Sequence, residues 1–168
     1  MPYDATISTA EHWVCDAARD LEDLARGASP ALRRRLDAAI ARMAWMNGAR
    51  TLREALVRPA STPFVAAVDA CAQDLGLAGD PRVAEMGRAT VALYAYVRLQ
   101  HDLVDEPARV DRASVFAAEA LLSEHLARFA SAVSDPRAHA WRARIMRRFA
   151  EVAATEVDDR GQDHADDG

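Results

Sequence analysis

Leu93-Tyr94-Ala95-Tyr96-Val97-Arg98-Leu99-Gln100-His101-Asp102-Leu103-Val104-Asp105-Glu106-Pro107 is the stretch on which the reading of this chain turns. It reads as the C-terminal half of a long, mostly apolar helix. Pro107 closes that helix, because a residue preceding proline resists the α conformation. Near the end, an Arg and a group of carboxylates interrupt the apolar pattern. Residues three or four apart on a helix are neighbours, with Cβ atoms roughly 5–6 Å apart. Asp102 and Asp105 therefore share a face, Arg98 sits one turn before Asp102, and Glu106 joins from the side. Acidic groups at a helix C-terminus face the negative end of its dipole. A chain that gathers three of them there either carries something to compensate them or simply ends its helix in solvent. Hard cations suit the first alternative, since Mg²⁺ takes one or two carboxylates together with substrate phosphates.

Outward from this stretch, the chain divides into helical segments by its capping signals. Asp80-Pro81 starts the long helix, which spans about 39 Å if it runs to Glu106, at ~1.5 Å per residue. Gly87 would permit close approach of a neighbouring helix. Upstream, Ser8 and Glu11 have capping-box spacing, and Trp13, Val14, Ala17, Leu21 and Leu24 recur at helical intervals until Gly27. Ser29-Pro30 opens the next helix, with Leu32, Leu36, Ala39, Ile40 and Met43 as its buried stripe and Arg33, Arg34 and Arg35 facing solvent. Asn47-Gly48 predicts a kink or break, and core packing is expected of Trp45 and Met46. The pattern resumes through Leu52, Leu56 and Val57. Thr62-Pro63 starts a stripe of Val65, Val68, Cys71 or Ala72, and Leu75.

Downstream, Asp111 is expected to cap a helix buried along Val115, Ala118, Leu122, Leu126, Phe129 and Val133, with Glu119 and His125 at the margin. Asp135-Pro136 opens the last helix, with Ala138, Trp141, Ile145, Phe149 and Val152 as its apolar line and arginines around the rest. Four helices thus begin with Ser, Thr or Asp followed by Pro, and no strand-like alternation appears. The expectation is an all-α bundle of about six helices over residues 1–157. Residues 158–168, acidic and poor in apolar groups, read as a disordered tail.

Composition agrees. The chain has 168 residues, enough for one domain with a real core. Half of it is hydrophobic but only 6% aromatic, which favours helices over sheets. All 21 basic residues are Arg, and the net charge of −5 gives no support to nucleic-acid binding. No window approaches 18 consecutive apolar residues, so no membrane span is expected, and no signal pattern stands at the N-terminus. Cys15 and Cys71 read as free thiols of a reducing, cytoplasmic protein.

The run from Tyr94 to Asp105 resembles the first aspartate-rich motif of class I isoprenoid synthases. It lies nearest the squalene and phytoene synthase branch, whose motif helix runs Tyr-Ala-aromatic, then Arg, then Asp-Asp-x-x-Asp. Those places hold Tyr94, Ala95, Tyr96, Arg98, His101, Asp102 and Asp105 here, so His101 stands where the family has its first Asp. The resemblance implies a terpenoid-synthase-like bundle in which Asp102, Asp105 and Glu106 hold Mg²⁺. The metal would bridge to a prenyl diphosphate and help it ionise for prenyl transfer or cyclisation. Asp102 and Asp105 would be the catalytic pair, and Arg98, Tyr94 and His101 would meet the substrate. His101 would alternatively hydrogen-bond Asp105 or serve only in packing.

The superfamily's second acidic motif has no counterpart in this sequence. The chain is therefore expected to be the N-terminal half of the fold, a truncated gene product, or a subunit that completes its cavity with a second copy or a complementary chain. The alternative is a non-catalytic helical subunit or degenerate paralogue that keeps the fold and acts by protein–protein association.

Overall fold

In the computed structural model, residues 7–57, 63–105 and 111–163 are described, with side chains over 13–57, 67–105 and 111–155. They form α1 (Ile7–Gly27), α2 (Pro30–Met46), α3 (Leu52–Leu56), α4 (Pro63–Asp74), α5 (Pro81–Asp105), α6 (Val115–Ala132) and α7 (Pro136–Asp163), with a 3₁₀ turn at Arg112–Ser114. No strand occurs among the described residues. Thr62, Glu106 and Pro107 lie outside them, as do the side chains of Ser8 and Glu11.

The seventh helix comes from a true break where the sequence allows a kink. Gly48 takes φ of 64°, a left-handed conformation that ends α2. Thr51 then restarts the helix, its Oγ1 accepting from the Glu54 amide at 3.1 Å. Glu54 reaches back to accept from the Arg50 amide at 2.9 Å. This is a reciprocal cap, displaced by one residue from the usual capping box. The aspartate starts hold as well. The side chains of Asp80, Asp111 and Asp135 accept from the amides of Arg82, Ala113 and Arg137 at 2.9, 3.0 and 2.8 Å. Ser29 precedes Pro30 without a side-chain cap bond.

α5 is the axis of the bundle. It packs most extensively on α6 and also touches α1, α2, α4 and α7. Small residues make this possible: Gly87, Ala89, Ala92 and Ala95 are all buried along it. At Gly87 a Cβ would fall 2.6 Å from the Trp13 ring, so α1 and α5 meet there as closely as backbone permits. Trp13, Val14, Ala17, Leu21, Leu36, Met43, Leu52, Leu56, Val91, Leu99 and Leu121 form one continuous core.

Several expected stripes are displaced. On α6 the buried residues are Ala117, Ala118, Leu121, His125 and Phe129, while Val115 and Leu126 are exposed. The helix turns Ala117 and Ala118 into the core cluster to which α5 contributes Val91, Ala92 and Ala95. On α4 the inward residues are Asp69 and Ala72, and Cys71 and Leu75 are exposed. Trp45 and Met46 end α2 beside the Gly48 break and point outward, contrary to the expected core packing. α7 departs furthest. Trp141, Ile145 and Val152 are exposed, and the half-buried line is Ala138, Arg142, Met146, Phe149 and Ala153. The helix also continues to Asp163, past the residue at which composition predicts a disordered tail.

Candidate functional site

The end of α5 carries the residues singled out in sequence. Asp102 is 3% exposed. Its two carboxylate oxygens are taken by two guanidiniums: Arg42 Nε of α2 donates to Oδ2 at 2.5 Å, and Arg98 Nη2, one turn earlier on α5, donates to Oδ1 at 2.9 Å. Both are charge-assisted bonds, about twice as strong as neutral ones. The three side chains pin α2 to α5 where Leu99, Ala39 and Met43 close the core around them. The space left beside Asp102 is about 10 Å³, on the scale of one probe sphere.

Asp105 parts from Asp102 despite sharing its helical face. It lies nearer the surface, where Nδ1 of the exposed His101 donates to its Oδ2. His101 thus orients the neighbouring carboxylate, one of the alternatives open in sequence. Tyr94 is half-buried against the core. Its neighbour Tyr96 packs on Phe149 of α7 at 6.3 Å between ring centroids. Burial, then the charge of Glu119, raises the Tyr96 phenol's pKa.

Asp102 and Asp105 are thus engaged separately, and Glu106, the third expected Mg²⁺ ligand, lies outside the described residues. A cation on Asp102 would have to displace Arg42 and Arg98 and leave both guanidiniums beside it. Among the described residues no group of three His, Cys, Asp or Glu side chains is arranged to hold an ion.

Arg42 is the residue that sequence reasoning missed. A signal existed: Arg35 and Arg42 stand two turns apart on the same side of α2, flanking the Leu36–Ala39–Met43 stripe. Arg35, expected in solvent, donates instead to Asp111 Oδ2 at 2.5 Å. The bond from the Ala113 amide, then this guanidinium, holds the Asp111 carboxyl below the usual carboxylate range. Arg34, Arg35 and Arg42 line one wall of a cleft of about 400 Å³, with Leu99, Asp111 and Ser114 opposite. The cleft is lined with guanidinium on the α2 side, which suits an anion.

A second ionic network stands at the other end of α5. Arg88 holds Asp20 of α1 with two bonds, at 2.6 and 2.8 Å, and Glu85 at 2.5 Å. Arg128 of α6 reaches Asp20 at 3.1 Å, Glu85 at 3.3 Å and Glu124 at 2.5 Å. The bond to Asp20 raises the Arg88 pKa above its ordinary value. Three helices are tied by these five charges.

Nearby, His125 is buried under α7, its Nδ1–H donating to the Ala89 carbonyl at 2.9 Å. Burial pushes its pKa down, and Arg142 acts in the same direction. Phe129 lies 5.9 Å from this ring, with His139 edge-on at 5.2 Å and the Arg142 guanidinium over it at 5.1 Å. An apolar groove of about 520 Å³ runs between α4 and α5, lined by Val68, Ala72, Leu75, Leu77, Val83 and Met86.

Among the described residues no helix is long and apolar enough to cross a membrane. No protein-family model, curated protein or solved structure matches the chain.

Proposed function

We propose that this chain is a non-catalytic helical bundle that acts by association with another protein chain. It keeps an α5 similar to the aspartate-rich helix of class I isoprenoid synthases, but uses Asp102 as an internal counter-ion. The observation that carries this reading is the state of Asp102, buried and held by Arg42 and Arg98 through both oxygens. A carboxylate that supplies the charge balance of two arginines is part of the fold's own electrostatics. Asp105 and the exposed His101 then form a local pair at a helix end.

A second reading rests on the guanidinium-lined cleft of about 400 Å³ beside Leu99. There a prenyl diphosphate would meet Arg34, Arg35 and Arg42, and the terpenoid-synthase-like bundle would be an isoprenoid enzyme, or part of one, with its substrate end at α2.

Calorimetry of the full chain separates the two, with Mg²⁺ and a non-hydrolysable prenyl diphosphate added together and singly. The association reading expects no metal-dependent heat. Metal-dependent binding that vanishes in an Asp102→Ala, Asp105→Ala double variant overturns it and restores the Mg²⁺ role of these residues. Metal-independent binding lost in Arg34→Ala also overturns it, in favour of the cleft.

A further inference from the structure

We propose that the partner is a second copy of this chain, docked antiparallel along α7. This rests on the association reading above and gives it a surface and an occupant.

α7 has 28 residues, about 42 Å at ~1.5 Å per residue, yet none of its described side chains is buried. Its inner line is half-covered by α5 and the end of α6. A second apolar line, Trp141, Ile145 and Val152, is 58%, 43% and 46% exposed. Intervals of four and seven place these three on one side of the helix, at the spacing of a helix-pairing seam. A seam of this kind on a soluble helix marks a contact surface.

The charge pattern selects the occupant. In sequence, residues 136–148 carry Arg137, Arg142, Arg144, Arg147 and Arg148 and no carboxylate. Residues 149–163 carry Glu151, Glu156, Asp158, Asp159 and Asp163 against Arg160 alone. This order opposes the helix dipole, which favours acids near the N-terminus and bases near the C-terminus. Among the described residues little offsets it. Arg148 pairs with Glu151 at 3.2 Å, while Arg137, Arg144 and Arg147 have no carboxylate partner among the described residues.

A copy of the same helix running the other way supplies what is missing. About the midpoint of α7, a twofold axis sets the basic half of each helix on the acidic half of the other and opposes their dipoles. Ile145 of each copy then lies nearly level with Val152 of the other, and Trp141 lies over the acidic half of the partner helix. A parallel copy would set like charges together. An anionic membrane surface would attract the first half of α7 and repel the second.

The test is sedimentation equilibrium of the full chain up to about 100 μM, where a dimer of micromolar affinity is populated, with circular dichroism to confirm folding. The expected mass is twice 18.3 kDa, and salt weakens the association. Trp141→Ser with Ile145→Ser should return a folded monomer. Arg144→Glu with Arg148→Glu, and separately Glu151→Arg with Asp158→Arg, should each raise the dissociation constant at least about tenfold. An equimolar mixture of these two charge-reversed proteins should regain the dimer mass.

A wild-type mass of 18.3 kDa throughout, charge variants that dimerise like wild type, or a mixture without rescue each overturn the proposal. Metal-dependent binding of the prenyl diphosphate would overturn the reading of Asp102 and leave these masses unchanged, so the two failures are distinct.

Discussion

α5 and α7 are the two longest helices, at 25 and 28 residues, and in sequence they look alike. Each starts with Asp-Pro, and each mixes arginines with apolar residues. Their surroundings are opposite. α5 is flanked by α1, α2, α4, α6 and α7, and two of its charges are enclosed: Asp102 by Arg42 and Arg98, Arg88 by Asp20 and Glu85. α7 leaves Trp141, Ile145 and Val152 uncovered. The difference lies in side-chain size. α5 places Gly87, Ala89, Ala92 and Ala95 at its contacts, so neighbouring backbones come close enough to pack around it. α7 presents Trp, Ile, Met, Phe and Arg at the same intervals and is held off.

The sharpest way to break α5 is at its enclosed charge. Asp102→Ala leaves two arginines without their counter-ion. Removing one member of a buried pair costs about 3–5 kcal/mol. The guanidiniums, roughly a quarter exposed, regain some solvent, so the lower end, about 3 kcal/mol, is expected by urea denaturation. Replacing all three members with apolar residues, Asp102→Leu with Arg42→Met and Arg98→Met, should recover most of that loss. A single variant as stable as wild type would show that the clamp does not hold α2 to α5.

The next largest effect is at the α1–α5 contact. Gly87→Ala improves helix propensity by roughly 1 kcal/mol but drives a methyl into the buried Trp13 ring. Overpacking of this kind costs about 1–3 kcal/mol, so a net loss near 1 kcal/mol is expected. Trp13→Leu made in the Gly87→Ala background should cost less than in wild type, because the smaller side chain admits the methyl. Equal costs in both backgrounds would place the strain elsewhere.

Much of α5 was legible in sequence. Its start at Asp80-Pro81, the close approach at Gly87 and the pairing of His101 with Asp105 all follow from local chemistry. The partner of Asp102 did not, because Arg42 lies 60 residues away and helix spacing reports only neighbours on the same helix. The stripes of α6 and α7 were misplaced for a related reason. Counting apolar residues gives the most hydrophobic face, whereas packing brings Ala117 and His125 inward on α6 and half-buries Arg142 and Met146 on α7. On α6 that exchanges Val115 and Leu126 for Ala117, Leu121 and His125. Arg98, His101, Asp102 and Asp105 all lie in the last turns of α5, but that Asp102 faces the interior is decided by its partner Arg42 on α2.

His125 tests the side of α5 that α7 covers. Burial lowers its pKa in the folded protein from an ordinary value of 6.5, so the unfolded chain binds a proton more readily than the folded one. Its contribution is therefore fully present above pH 6.5 and is lost as pH falls below that value through the lowered folded pKa. The ring faces the Ala89 carbonyl and Phe129, and the charge of Arg142 adds to the disfavour of a charged imidazole. Asp80, held at about 2 by its bonds to Arg82, loses its contribution only at pH below 3.8. His125→Asn keeps a donor for Ala89 and does not titrate. The melting temperature of wild type should fall between pH 7 and pH 5 more steeply than that of the variant. Parallel profiles would mean that the ring is protonated without cost and that α7 does not seal it.

The smallest effect should come from the most conspicuous side chain. Trp141 is large and apolar, yet it is 58% exposed. In a core, removing an aromatic side chain of this size costs about 3–5 kcal/mol. At a surface away from specific contacts, a substitution stays within about 0.5 kcal/mol. Under conditions where the chain is monomeric, Trp141→Ser is therefore expected to unfold at nearly the same urea concentration as wild type, while Leu99→Ala on α5 loses about 2–5 kcal/mol. If instead Trp141→Ser destabilised the monomer as strongly as Leu99→Ala does, α7 would be packed in solution as closely as α5. The contrast between the two helices would then vanish, and with it the free apolar face on which association through α7 depends.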